Sequence, residues 1–228
     1  MSEEPVTYRK DQQRVHCLYS DRYLKRSLAP SEYVTTPSGH SYVPFHNRER
    51  LENKVACIEF IREMTDIPVP EVINAYEKDG SFHIWTKLIR GVSMNELKDE
   101  DRWKVIPEIR KHLATLKTLR SKVSGGPSGI LCPPHRVTNH CDRNTTWQRI
   151  SADDDIYVFC HCDLSDENIM VDPVTLKVLA IIDWEFSGFY PEEHEIPFYE
   201  RRKPSGAQSR YFPRNIDHIK RFWEDSTI

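Results

Sequence analysis

From Arg48 to Met64, apolar residues at Leu51, Val55, Ile58 and Ile61 recur at three- and four-residue intervals among charges, which is the signature of an amphipathic helix. The helix should stop near Thr65. Ile67-Pro68-Val69-Pro70 cannot continue it, because proline lacks the amide donor and holds the residue before it extended. Glu71 to Tyr76 and Ser81 to Ile89 are β-prone runs separated by Glu77-Lys78-Asp79-Gly80, whose Asp-Gly ending predicts an antiparallel hairpin. Ser93 is placed to cap a short turn, and Asp99 or Asp101 to cap a long helix through Val105, Ile109, Leu113, Leu116 and Leu119. That helix should end before Gly125-Gly126-Pro127, and residues 123 to 150, rich in Gly, Pro and Asn, read as a long loop. Ile156 to Cys160, Ile169 to Val171 and Leu176 to Ile182 then read as short strands around a polar loop, and Ile216, Ile219 and Phe222 as a final helix. The first 45 residues are the least legible. There, Pro37-Ser38-Gly39-His40 carries the turn chemistry of a hairpin between Tyr33-Val34-Thr35-Thr36 and Ser41-Tyr42-Val43-Pro44.

Composition narrows the class without deciding it. The 228 residues are 38% hydrophobic and 29% charged, enough to bury a sizeable core. A net charge of -3, with basic residues interleaved among acidic ones, gives no global positive field for nucleic acid. No stretch approaches the roughly 20 apolar residues of a membrane span, and Met1-Ser2-Glu3-Glu4-Pro5 has no apolar leader, so the expectation is a cytoplasmic protein without a membrane partner. Six cysteines at irregular spacing do not resemble a secreted disulfide framework. Cys132, His135, His140, Cys141, Cys160, His161 and Cys162 invite a zinc reading but lack the paired spacing of a closed tetrahedral site. The simpler expectation is that Cys160 and Cys162 face a core as small apolar thiols along an extended segment.

The chemistry lies in His161-Cys162-Asp163-Leu164-Ser165-Asp166-Glu167-Asn168, followed shortly by Ile181-Ile182-Asp183-Trp184-Glu185. Phosphoryl transfer needs such a set. One carboxylate orients and deprotonates a hydroxyl, while a second carboxylate and an amide oxygen suit magnesium, a hard cation that bridges phosphates. Isolated Asp and Asn residues usually only cap turns, so the joint pattern carries the argument rather than any one residue.

In these residues the chain resembles the aminoglycoside phosphotransferase and choline kinase-like family, especially its fungal members, whose pattern H-x-D-x4-N followed by I-I-D-W-E stands here at His161, Asp163, Asn168 and Ile181 to Glu185. Weaker resemblance extends to Glu63 to Pro70 and to Ile84 to Gly91. It implies an α+β, protein-kinase-like two-lobed fold. Residues 1-90 would form a reduced N-terminal nucleotide-binding β lobe, and 91-228 a mainly helical catalytic lobe. It further implies ATP and Mg2+ as cofactors, a small-molecule hydroxyl acceptor, Asp163 as base with His161 bracing its loop, Asn168 and Asp183 as magnesium ligands, and adenine at the backbone of Lys87, Leu88 and Ile89.

The sequence also departs from that pattern. The strand that should carry a phosphate-binding lysine aligns near Tyr42-Val43-Pro44-Phe45, and the helix position that should carry its glutamate aligns near Lys54, with Glu52 the nearest acid. Lys54 or Lys25 would have to supply the cation, although a solvated place on the helix surface is the plainer reading of Lys54. No glycine precedes Gly39, so a glycine-rich phosphate loop is missing, and the stretch after Glu185 is short for the family's helical substrate subdomain. These departures motivate an alternative, a pseudokinase-like binding or regulatory protein with a degenerate nucleotide site. Glu192, Glu193 and Glu195 could attract a cationic substrate or simply be surface charges at a helix start.

Overall fold

The computed structural model describes residues 4–37, 39–138, 145–202 and 216–227. Its first half is organised by a five-stranded antiparallel sheet. β1 (Thr7–Lys10), β2 (Arg14–Leu18) and β3 (Arg22–Ser27) are joined to β5 (Ser81–Lys87) and β4 (Val72–Lys78) in the order β1-β2-β3-β5-β4. Only the β4–β5 hairpin was expected; Asp79 and Gly80 form its turn with φ of 52° and 71°. The proposed hairpin at residues 33–44 reduces to an isolated bridge between Thr35 and Ser41, and Ser38 lies outside the described residues. The sheet therefore forms from a segment whose alternation is masked by arginine and lysine stems lying in the strands.

Period-two geometry divides this sheet into two faces. Val15, Cys17 and Leu24 form a small buried cluster with Leu28 on one face, packed by Trp85. His16, Tyr23, Lys25, Ile84 and Thr86 lie on the other and line a cleft. Lys25 sits in mid-sheet, opposite His16 on β2 and Ile84 on β5.

The helix α1 (Glu49–Met64) starts and stops where expected, and the Thr65 amide closes it onto the Ile61 carbonyl at 3.0 Å. Its buried set differs from the expected apolar stripe. Leu51, Ile58 and Ile61 are buried, but so are Arg50, Asn53, Lys54 and Cys57, because a second face of the helix packs on the turn Trp184–Phe186. Val55 is only half-buried.

After β5, the two-residue strand β6 (Val92–Ser93) leads to a turn in which Ser93 Oγ accepts from the Asn95 amide, as expected. The long helix α2 (Asp99–Thr118) begins at Asp99 itself, with Lys98 as its cap residue, so neither Asp99 nor Asp101 caps it; both lie in the first turn, where the helix dipole favours acids. Next come β7 (Arg120–Ser121), a single turn α3 (His135–Thr138), β8 (Tyr157–Cys160), the hairpin of β9 (Ile169–Val171) and β10 (Val178–Ile181), β11 (Gly188–Tyr190) and α4 (Ile216–Asp225). One large hydrophobic core joins α1, α2, β8 and α4 through residues such as Ile58, Ile109, Phe159, Trp184 and Phe222. No described helix is long and apolar enough to cross a membrane.

Candidate active site

Between β8 and β9 the chain makes a tight, internally bonded loop. The His161 Nδ1 accepts from the Asp163 amide at 3.2 Å, and its Nε2 faces the Ile182 carbonyl at 2.9 Å. A carbonyl only accepts, so Nε2 carries the proton and the ring is neutral; burial drives its pKa down to about 4. The ring thus ties the Asp163 loop to the residue before Asp183. Asn168 donates Nδ2 to the Asp163 carbonyl at 2.8 Å, and its own carbonyl receives the Ile182 amide at 2.9 Å. Cys162 and Asp183 both hold left-handed backbone, with φ of 65° and 67°. Each such residue costs on the order of 1 kcal/mol or more and persists only where its surroundings impose it.

Those surroundings are visible. Arg102 of α2 pairs with Asp166 at 2.9 Å while Ser93 Oγ donates to the Asp166 carbonyl at 3.0 Å. Arg136 donates to the Cys162 carbonyl at 2.8 Å, and Ser187 Oγ to the His161 carbonyl at 3.0 Å. The Glu195 carboxylate accepts the His161 amide from below. Burial pushes its pKa up to about 7 despite that bond. Glu195 therefore does not belong to an acidic surface patch: Glu192 pairs with Lys117 at 2.6 Å at the surface, and Glu195 points inward at the loop.

Facing Asp183 is the cation side. Lys25 Nζ lies 2.6 Å from Asp183 Oδ1 and 3.6 Å from Glu185 Oε2, and Lys54 Nζ lies 3.2 Å from the same Asp183 oxygen. Both lysine side chains are under 10% exposed, which corrects the reading of Lys54 as a solvated residue. It also corrects the strand alignment: residues 42–45 form no strand, and a cleft-facing lysine stands on β3 at Lys25. Burial opposes charge on Lys25, but Asp183 and Glu185 outweigh it and hold its pKa above the usual value. Lys54 goes the other way, lowered by burial and by Lys25. Asp183 resists burial through Lys25 and Lys54, and its pKa is well below the carboxylate range. Glu52 takes no part; its carboxylate binds Arg48 at 2.7 Å on the far side of α1.

The two sides meet in a cleft of about 300 Å³ lined by Lys25, Lys54, Asp183, Met170 and the connector Lys87, Leu88 and Ile89. In that connector, the Lys87 amide is spent on the Glu71 carbonyl at 2.9 Å and the Leu88 amide on the Asp21 carbonyl at 3.0 Å. The Lys87 side chain turns away to pair with Glu71 at 2.6 Å. Among the three, Ile89 is the residue whose amide has no such bond to the described residues.

The zinc cluster does not assemble among the described residues. Both His161 nitrogens are engaged, Cys160 and Cys162 are buried, and His140 and Cys141 lie outside the described residues. The left-handed turn at Cys162 also means that the expected extended segment ends at Cys160.

The family profile described as choline/ethanolamine kinase matches residues 77–199, from the β4–β5 turn through the Asp183 segment. The chain belongs to this family. A curated relative, the probable choline kinase 1 of Arabidopsis thaliana, is 42% identical over 53 residues, 23% of this chain; the match spans 15% of that protein's length. Among solved structures, aminoglycoside phosphotransferase APH(3'')-Id of Streptomyces rimosus superposes with a TM-score of 0.56 at 15% identity, covering 82% of this chain and 73% of that one. Aminoglycoside phosphotransferase APH(4)-Ia, in a ternary complex with AMP-PNP and hygromycin B, gives a TM-score of 0.54 at 12% identity, covering 84% and 70%. At these identities the likeness concerns the fold, an α+β kinase-like architecture.

The expected residues Asp163, His161, Asn168 and Asp183 come together, with Lys54 beside them. Sequence reasoning named Lys25 as a replacement cation without placing it on a strand, and missed Arg14, Arg50 and the partners of Glu185. The signal for Lys25 lay in Tyr23-Leu24-Lys25-Arg26-Ser27, a strand alternation in which a lysine occupies the cleft-facing register.

Proposed function

We propose that this chain transfers the γ-phosphoryl group of ATP to the hydroxyl of a small molecule, with Asp163 as base and with residues 1–90 and 91–228 as nucleotide-binding and catalytic lobes. The observation that carries the proposal is the charge gathered around Asp183, which lines the cleft together with Lys25 and Lys54. Among the described residues, Arg14, Lys25, Arg50 and Lys54 converge on two carboxylates, Asp183 and Glu185, and all four cations are under 10% exposed. Two buried lysines that meet at one carboxylate oxygen on the cleft favour a further, multiply charged anion beside them, and a polyphosphate is the anion that a nucleotide brings.

The residues also suit magnesium. Asp183 offers a carboxylate whose pKa keeps it ionised, and the Asn168 NH2 group is committed to Asp163, which leaves the amide oxygen for a cation. Asp183 and Asn168 would hold the ion, which supplies charge neutralisation on the phosphates. Asp163 would take the acceptor's proton while His161, whose ring bonds to backbone on both sides, positions the loop. Ile89 would offer its amide to the base, with Lys87 and Leu88 shaping the connector. Lys25 and Lys54 would bind phosphate oxygens.

The pseudokinase alternative drew on the missing lysine, helix glutamate and glycine-rich loop and on the short stretch after Glu185, and two buried lysines on the cleft weigh against the first of these grounds. Choline and ethanolamine, which the family's description names, head the acceptors to be tried, followed by aminoglycosides. Calorimetric titration of ATP with and without magnesium, on wild type and Asp183→Ala, tests the reading. Magnesium-dependent binding lost in the variant supports it; no binding by wild type overturns it.

A further inference from the structure

The α1 helix brings no carboxylate to the cleft. Where a kinase-like fold needs an acid to hold its strand lysine, α1 presents Arg50, Asn53 and Lys54, and its nearest acid, Glu52, faces away to Arg48. A carboxylate does reach the strand lysine, but from the other lobe and from a residue whose place in Asp183-Trp184-Glu185 had no assigned task. Glu185 Oε2 lies 3.5 Å from Arg14 Nη2 of β2 and 3.6 Å from Lys25 Nζ of β3, and Oε1 lies 3.4 Å from Arg50 Nη2 of α1. All four side chains are at most 7% exposed, so little water screens these contacts.

The backbone around Glu185 is held in the same register. Asn53 Nδ2 of α1 donates to the Glu185 carbonyl at 3.2 Å and to the Ser187 carbonyl at 2.9 Å, and Cys57 Sγ approaches the Ser187 carbonyl at 3.4 Å. Arg50 also lies over the Phe186 ring, 5.2 Å from its centroid. The turn Trp184–Phe186 is thereby clamped against the face of α1 that carries the cations.

We propose that Glu185 is the positioning residue for the phosphate-binding cations, taking over the task of a helix glutamate. The strand lysine is then placed by the turn that follows Asp183, and the helix contributes cations in place of the acid. The consequence is a direct coupling between the lobes: any movement of the Asp183 turn moves the counter-ion of Lys25. Removing the Glu185 charge would take from Arg14, Lys25 and Arg50 the carboxylate they share, and they would spread apart. This rests on the nucleotide reading above.

The test is ADP affinity, measured by calorimetry in EDTA and again with magnesium, for wild type, Glu185→Gln and Glu185→Asp. The expected result is a loss of at least tenfold for Glu185→Gln that persists in EDTA, and a loss of a few-fold for Glu185→Asp, whose carboxylate is withdrawn by one methylene. Reactivity of the Lys25 amine toward an acylating reagent, read by mass spectrometry without nucleotide, should rise in both variants while that of exposed lysines stays constant. A loss seen only with magnesium would mean that Glu185 acts through Asp183, and would overturn the proposal. So would unchanged ADP affinity in EDTA for Glu185→Asp, which also serves if the glutamine variant does not fold. Failure of wild type to bind ADP at all would instead sink the nucleotide reading.

Discussion

The acidic wall of the site, the loop and turn that carry Asp163, Asn168 and Asp183, and its cationic wall, the cluster of Arg14, Lys25, Arg50 and Lys54, are built on different principles. Asp163, Asn168 and Asp183 come from one stretch of chain, held by a histidine, an asparagine and backbone bonds that close within it. Arg14, Lys25, Arg50 and Lys54 come from two strands and a helix far away in sequence, and they meet only because the sheet and α1 pack on the Asp183 turn. The acidic wall is a local device whose geometry travels with its motif. The cationic wall is a tertiary device that can change its donors as long as charge arrives at the same point. That freedom explains how this chain can lack the helix glutamate and a recognisable strand motif yet still present two buried lysines to the cleft.

The largest effect should come from the acidic wall. Asp163→Asn is expected to lower turnover by about a thousandfold, equivalent to about 4 kcal/mol in barrier, with ATP affinity unchanged. Steady-state kinetics beside a binding titration would check it, and retained turnover would remove Asp163 as base. On the cationic wall, Lys25→Met leaves Asp183 and Glu185 without their shared partner, and breaking such a buried pair costs about 3–5 kcal/mol. Lys54→Met touches one oxygen at a longer distance and should cost less. Denaturant midpoints for the two variants would separate them, and an equal loss would contradict the division of labour between strand and helix.

The third effect is a pH dependence. His161 has a folded pKa of about 4 against an ordinary value of 6.5, so the unfolded chain binds its proton first on acidification. Its contribution to stability is complete above pH 6.5 and falls as pH drops toward 4, by about 3 kcal/mol in all. Glu195 works in the opposite sense: with a folded pKa near 7, it favours the fold at acid pH and gives that up as pH rises from 4.5 to 7. Chemical denaturation between pH 4 and 7 should therefore show a steeper loss of stability on acidification in Glu195→Gln than in wild type. A smaller effect, about 1–3 kcal/mol, is expected for Asn53→Ala, which strips the Glu185 and Ser187 carbonyls of their donor. Thermal melts would measure it; a silent substitution would mean that α1 docks on the Asp183 turn by apolar contact alone.

Much of the fold was open to sequence reasoning where periodicity and turn chemistry agreed. The helix ending at Thr65, the Asp79-Gly80 turn and the strands flanking the His161–Asn168 loop are set by prolines, glycines and short-range spacing. The first three strands were not legible, since Arg14, His16, Lys25 and Arg26 break the apolar alternation that marks a half-buried sheet. Arg14 and Lys25 are buried because the Asp183 turn supplies their partners, and no local pattern announces a partner 158 residues away.

By itself, the sequence determined the make-up of the acidic wall: which carboxylates and which amide stand at which spacing, and that a histidine sits two residues before Asp163. The tertiary structure alone decided which cations face them, turning Lys25 inward by its strand register and Lys54 by the helix face that α1 buries. The physical reason is range. Hydrogen bonds within a loop are fixed by neighbouring residues, whereas a buried charge is tolerated only after folding has brought its counter-ion within a few ångströms.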